Sequence, residues 1–191
     1  VHRNFIDDSS LTLLSAHERA AWRESLGVPR DAFVIGCVAR LAPGKGVHVL
    51  VEAFRRVRDE IPRAHLLLVG DGSERPRIEA LVHELGLDSA VTLAGTLPHT
   101  PLSAQLFDIA CLASEHEGFP NAIVEASACG VPIIATMVGG TRDVLIDGQT
   151  GIGLTPGDID GTAAAMLRLA RDRELAERFG RAGRKLVLEN F

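Results

Sequence analysis

Short runs of almost unbroken apolar residues recur along this chain, each closed by a glycine-rich turn and followed by an amphipathic stretch. Residues 33–39 (FVIGCVA), 64–69 (AHLLLV), 91–94, 109–113 and 131–135 are predicted strands, with a short sixth at 151–154. Helical spacing is predicted over 47–58, 76–85, near 101–107, 121–129, 159–169 and 173–188. An earlier amphipathic stretch, 16–26, carries Trp22, which is expected to pack that helix onto the sheet. A half-solvated strand alternates apolar and polar residues, whereas these strands are apolar throughout. Both faces must therefore be covered, as in a parallel sheet. Strand–helix alternation at this spacing implies right-handed crossovers and an α/β doubly wound parallel sheet with helices on both faces. Ligands of such sheets bind outside the carboxyl ends of the strands. The glycine-rich loops at 42–46, 70–73, 118–121 and 138–141 fall there.

A length of 191 residues suits one domain, and no linker, low-complexity segment or repeat divides 1–191. With 46% apolar residues the chain lies outside the disordered and fibrous classes. A net charge of −5 gives no basic footprint for nucleic acid. Arg168, Arg171 and Arg173 are interrupted by Asp172, Glu174 and Glu177, the composition of a solvated helix face. Cys37, Cys111 and Cys129 are odd in number, form no C-x-x-C pair and lie in or beside apolar stretches. Buried free thiols and a reducing cytoplasm are expected from them. No apolar run approaches the ~20 residues that span a bilayer. The start, Val1-His2-Arg3-Asn4-Phe5, has neither an initiator Met nor a signal pattern, and reads as an inner part of a longer protein.

Two segments carry chemistry. Residues 40–46, R-L-A-P-G-K-G, follow a predicted strand and open a predicted helix. Gly44 and Gly46 let backbone approach a phosphate, the helix start offers N–H groups, and Arg40 and Lys45 supply charge. The competing reading is a Pro-Gly turn with two surface cations, and the Walker pattern is absent. The second segment runs E-H-E-G-F-P-N-A-I-V-E-A-S-A-C-G over 115–130. Glu117 lies in a loop and Glu125 on the helix that follows, whose first N–H groups would favour an anion. A glutamate pair at this spacing is weak by itself, because helix-surface carboxylates are usually solvated. Glu125, however, stands in a small-residue, nearly uncharged helix, where a carboxylate needs a partner, and sugar or ribose hydroxyls would serve.

R-L-A-P-G-K-G, then L-L-L-V-G-D-G, then E-G-F-P-N-A-I-V-E-A-S-A-C-G-V-P-I-I-A-T, then V-G-G-T-R-D-V closely resembles glycosyltransferase family 4. Order and spacing are similar to the carboxy-terminal, donor-binding domain of these GT-B enzymes, across nearly the whole chain from Asn4-Phe5-Ile6-Asp7, which looks like the interdomain crossover. The resemblance implies a Rossmann-like domain, half of a GT-B fold. It implies a hexosyltransferase-type, retaining transfer from a nucleoside-diphosphate sugar (a UDP-, GDP- or ADP-sugar) to an acceptor, with no cofactor and no metal. Arg40 and Lys45 would hold the diphosphate and stabilise it as a leaving group. Glu117 would face the donor sugar, and Glu125 would bind the ribose hydroxyls. Beside Gly118, the backbone N–H groups of Phe119, Asn121, Ala122 and Ile123 would meet sugar hydroxyls or phosphate; Pro120 has none to give. Gly95, Thr96 and Leu97 would meet the base through backbone.

Two departures bear on these expectations. The family often has Gly-Gly-x-x-Glu where this chain has Gly139-Gly140-Thr141-Arg142-Asp143, so Asp143, shorter in reach, is left outside the core site. By the same resemblance, the amino-terminal acceptor domain, its histidine near the reacting centre and a final crossing helix beyond Phe191 are expected to lie outside this chain. The fragment is therefore expected to bind donor but transfer little or nothing. Membrane contact, peripheral and at the cytoplasmic face, is expected only through the full-length enzyme. Competing signals are weaker. Gly70-Asp71-Gly72 resembles a dinucleotide fingerprint, but Arg75 holds the third glycine position and no fitting acidic residue ends the next strand. Asp158-Ile159-Asp160 matches a metal-binding D-x-D, yet it precedes an apolar periodic segment and reads as a helix cap. His116 reads as a solvent-facing loop residue, and His99 lies near the expected base loop. A noncatalytic nucleotide-sugar-binding module and a sugar-nucleotide epimerase-like domain are the alternative functions. The intact motif set favours transfer.

Overall fold

The computed structural model describes residues 12–97 and 103–191. Its elements are α1 (Ala16–Ser25), β1 (Phe33–Val38), α2 (Val47–Glu60), β2 (Ala64–Val69), α3 (Arg75–Glu84), β3 (Val91–Gly95) and β4 (Ile109–Leu112). They continue with α4 (Asn121–Ala128), β5 (Ile133–Thr136), α5 (Thr141–Val144), β6 (Gly151–Leu154), α6 (Ile159–Arg171) and α7 (Arg173–Asn190). The six strands form one parallel sheet in the order β3-β2-β1-β4-β5-β6. Helices cover both faces, so the sequence reading of a doubly wound α/β sheet holds. The Asn4-Phe5-Ile6-Asp7 segment and His99 lie outside the described residues. So do Pro101 and Leu102 of the helix expected near 101–107, of which Ser103 and Ala104 are helical.

Side-chain alternation along the strands explains why they are apolar throughout. Ile35, Cys37, Leu66, Leu68, Ile109, Cys111 and Ile134 enter one core with α2, α3 and α6. Val34, Leu67, Val69, Ala110, Leu112, Ile133 and Ala135 enter a second core with α4 and the end of α7. Trp22 packs against that second core from α1, as expected. Cys37 and Cys111 are buried and Cys129 is half-buried, all three free. Burial pushes the Cys37 thiol up to about 12 and Cys129 to about 11, so these thiols stay protonated and unreactive. Arg168, Arg171 and Arg173 are exposed; Arg171 pairs with Glu60 and Arg173 with Glu177 at 2.8 Å, the solvated face read from sequence. Among the described residues, no helix is long and apolar enough to cross a membrane.

Beyond this layering, α1 is fastened by charge. Asp108, at the amino end of β4, accepts Arg19 Nη2 at 2.7 Å, Arg23 Nη2 at 3.0 Å and the Val34 amide at 2.7 Å. Arg23 is buried, and its Nε donates to the Leu106 carbonyl at 2.8 Å. Burial pulls the Arg23 guanidinium down while Asp108 pushes it back up, so the cation persists because its counterion is there.

Candidate active site

Strand order reverses between β1 and β4, so the loops leaving their carboxyl ends diverge and open a crevice at this switch point. The two loops are tied together by backbone beneath it. The Glu115 amide donates to the Gly44 carbonyl at 2.8 Å. Gly46 ends the first loop at φ 62°, and a Cβ there would lie 2.1 Å from the Ala113 carbonyl oxygen. Both the left-handed backbone and the close approach require glycine. Gly46→Ala is expected to cost about 2–3 kcal/mol, the sum of a left-handed alanine and a clash with an immobile carbonyl. Urea unfolding should show the midpoint fall with the slope preserved; a loss below about 0.5 kcal/mol would mean the loops are not locked in this way. The loop after β5 closes on the same place: the Gly140 amide donates to the Glu117 carbonyl at 3.1 Å. A Cβ on Gly139 would sit 1.8 Å from that carbonyl.

On this backbone, Lys45 from the β1 loop reaches Glu117 from the β4 loop, with Nζ 2.6 Å from Oε1. The two side chains are 24% and 11% exposed, so the pair is largely withdrawn from water yet open on one side. Ser114 Oγ donates to the same Oε1 at 2.7 Å, and Thr136 Oγ1 donates to the Ser114 carbonyl at 2.6 Å. Ser114 and Thr136 are buried, and neither was singled out by the sequence reading. Arg40 is exposed at the start of the same β1 loop.

The helices opening at the switch point have bare starts. α2 begins after Gly46 and α4 after Pro120, each without a side-chain cap and with no acidic residue in its first turn. By contrast α1, α6 and α7 are capped by Ser15, Asp158 and Asp172. Asp158 accepts the Gly161 amide at 2.8 Å, which makes the D-x-D a cap, as expected. Uncapped helix starts beside Arg40 and Lys45 make the crevice attractive to an anion.

The remaining expected residues take varied positions. Gly118 lies between Glu117 and Phe119 in the loop, and Glu125 is half-buried one turn into α4. Of the four expected amides, Asn121 donates to the Phe119 carbonyl at 3.1 Å and Ile123 to the Pro120 carbonyl at 2.9 Å. Those two are engaged by the tight turn into α4, which sequence spacing does not show. The Phe119 ring packs on Phe191, centroids 5.6 Å apart. Gly95 ends β3, its carbonyl taken by the Gly70 amide at 2.8 Å, followed by exposed Thr96 and half-buried Leu97. β3 lies two strands from β1, about 10 Å away. His116 and Asp143 are exposed.

Among the cavities along the described residues, two flank the sheet. The larger, about 600 Å³, is at the opposite edge, among Phe33, Asp108 and Pro132 at the amino ends of strands. A smaller one of about 390 Å³ lies between the β1 loop and α3, among Leu41, Gly44, Gly46, His48 and Arg77. Arg40, Lys45 and Glu117 line neither. They stand at the carboxyl edge of the sheet, Lys45 and Glu117 largely shielded and Arg40 exposed.

Comparison with known proteins agrees with this geometry. The family of glycosyl transferases group 1 matches residues 18–186. The lipopolysaccharide core biosynthesis glycosyltransferase LpsE of Rhizobium meliloti is 32% identical over 88% of this chain and 48% of its own length. The N-acetyl-alpha-D-glucosaminyl L-malate synthase of Bacillus anthracis is 32% identical over 98% of this chain and 48% of its own. The chain thus spans about half the length of these relatives. The crystal structure of Anabaena HepE in complex with UDP and glucose superposes with a TM-score of 0.90 at 28% identity, covering 98% of this chain and 52% of that one. A family match over most of the chain, on a GT-B-type sheet with its motif residues gathered at the switch point, places it: the chain belongs to the group 1 glycosyl transferases.

Proposed function

We propose that this chain binds a nucleoside-diphosphate sugar across the carboxyl ends of β3, β1 and β4, and that within a longer enzyme it serves retaining hexosyl transfer to an acceptor. The observation that carries the reading is the Lys45–Glu117 pair across the switch point, between two uncapped helix starts. The base lies on Gly95, Thr96 and Leu97, and the diphosphate on Arg40, Lys45 and the bare start of α2. The sugar faces Glu117. The β3-to-β1 separation matches the reach from a base to its diphosphate. HepE, solved with UDP and glucose, supports the ligand class. As the bond from the anomeric carbon to the diphosphate oxygen breaks and the acceptor hydroxyl oxygen bonds that carbon, charge collects on the diphosphate, whose departing oxygen takes up the hydroxyl proton. Arg40, Lys45 and the oriented amides at the helix starts stabilise it there. Phe119 and Ala122 are the amides of the expected set that this account relies on. The acceptor side is supplied by a domain outside this chain, so the chain alone binds donor and transfers little or nothing.

Glu125 is assigned to the ribose hydroxyls. Glu125→Gln is expected to weaken nucleoside diphosphate binding by about 1–3 kcal/mol through loss of charge-assisted hydrogen bonds. Inorganic pyrophosphate, which has no ribose, should bind both forms alike. Calorimetry separates the two ligands; equal nucleoside diphosphate affinity in the variant removes the ribose assignment.

A further inference from the structure

We propose that Ser114 is a positioning residue, which keeps the Glu117 carboxylate in place while Lys45 exchanges that carboxylate for the donor diphosphate. The proposal rests on the donor reading above and adds a hand-over between two groups that the reading treats separately.

Lys45 Nζ and Ser114 Oγ meet on one oxygen, Glu117 Oε1, at 2.6 and 2.7 Å. Lys45 is also the cation beside Arg40 at the start of α2, where the diphosphate is placed. A single ammonium on a flexible stem cannot satisfy both anions fully, and a diphosphate carries more charge than a carboxylate. Occupation of the site therefore draws Lys45 off Glu117. Ser114 does not follow. It is fully buried, and its carbonyl is fastened by Thr136 Oγ1 on the neighbouring strand β5. Its short side chain has one donor, and that donor is on Glu117. With the ammonium gone, this hydroxyl holds the carboxylate towards the sugar rather than letting it swing after the lysine.

Two consequences follow that a purely structural Ser114 would not produce. Removing the charge at residue 117 should tighten binding of the sugar-free nucleotide, because Lys45 is no longer engaged. Ser114 should matter only through Glu117, and only when a sugar is present. The test is calorimetric titration of this chain with UDP, GDP and ADP, and with UDP-glucose, GDP-mannose and ADP-glucose. For the nucleotide that binds, Glu117→Gln is expected to tighten the sugar-free form about threefold. Asp143→Asn, an exposed carboxylate of the adjoining loop, should change it by less than about twofold. Ser114→Ala is expected to leave the sugar-free nucleotide alone and to lower the affinity of its sugar conjugate about fivefold. In a Glu117→Ala background, Ser114→Ala should have no further effect.

Equal tightening by Glu117→Gln and Asp143→Asn would reduce the effect to bulk charge and overturn the exchange. A Ser114→Ala loss that persists undiminished beside Glu117→Ala would overturn the positioning role. In either case nucleotide binding itself would stand. A folded chain that binds none of the six ligands overturns the donor reading, and this proposal with it.

Discussion

Replacing Arg40 and Lys45 together by alanine is expected to weaken nucleoside diphosphate binding by at least about 100-fold, with the chain still folded. Each cation offers the diphosphate a charge-assisted contact worth about 1.5–3 kcal/mol, and two such losses multiply in affinity. Fold and function separate cleanly here because neither side chain holds up the core. Arg40 is exposed, and Lys45 contributes one partly solvated ion pair. Glu117 keeps the Ser114 hydroxyl when the lysine is removed, and the pair is open to water on one side, so its loss costs the fold little. Thermal unfolding of the double variant should therefore lie within a few degrees of the parent. Calorimetry with UDP, GDP and ADP measures the outcome. Unchanged affinity in a folded double variant would remove the diphosphate from this loop.

Asp108→Ala is expected to produce the largest loss of stability, about 3–5 kcal/mol, with no direct effect on the carboxyl edge. The carboxylate answers Arg19, Arg23 and the Val34 amide together. Truncation leaves the buried Arg23 guanidinium facing no anion and a strand amide without its acceptor. An uncompensated buried charge is among the costliest defects a fold can carry. Asp108→Asn, which keeps an oxygen for Val34 but removes the charge, should cost less. Urea unfolding of the pair separates the charge from the hydrogen bond. A loss below about 1 kcal/mol in Asp108→Ala would mean that water reaches Arg23 and replaces its partner.

What could be read from residues alone, and what could not, follows from the range of the interactions. Strands such as 64–69 declare themselves because a parallel strand buried on both faces has no polar alternation to confuse it. Loops 40–46 and 117–125 declare themselves through local composition: glycines, prolines and isolated charges set in apolar surroundings. α5 escaped notice because four residues, Thr141–Val144, are too short to show a helical period. Asp108 escaped because its partners lie 74 to 89 residues away. The Lys45–Glu117 pair spans 72 residues and exists only because β1 and β4 are neighbours in the sheet. Once strand order is known, that contact is a consequence of the switch point, and Ser114 comes with it. The local engagement of the Asn121 and Ile123 amides, in the tight turn after Phe119 and Pro120, is likewise a detail that spacing does not carry.

The central claim is that this chain by itself presents a nucleoside-diphosphate-sugar site, and one titration meets it directly. The unaltered chain is followed by thermal shift, then calorimetry, against UDP, GDP, ADP and the sugar conjugates of each. Selective stabilisation by one base is predicted, reaching roughly 2.7 kcal/mol at one hundred times the dissociation constant. A demonstrably folded chain that none of these ligands stabilises would contradict the account.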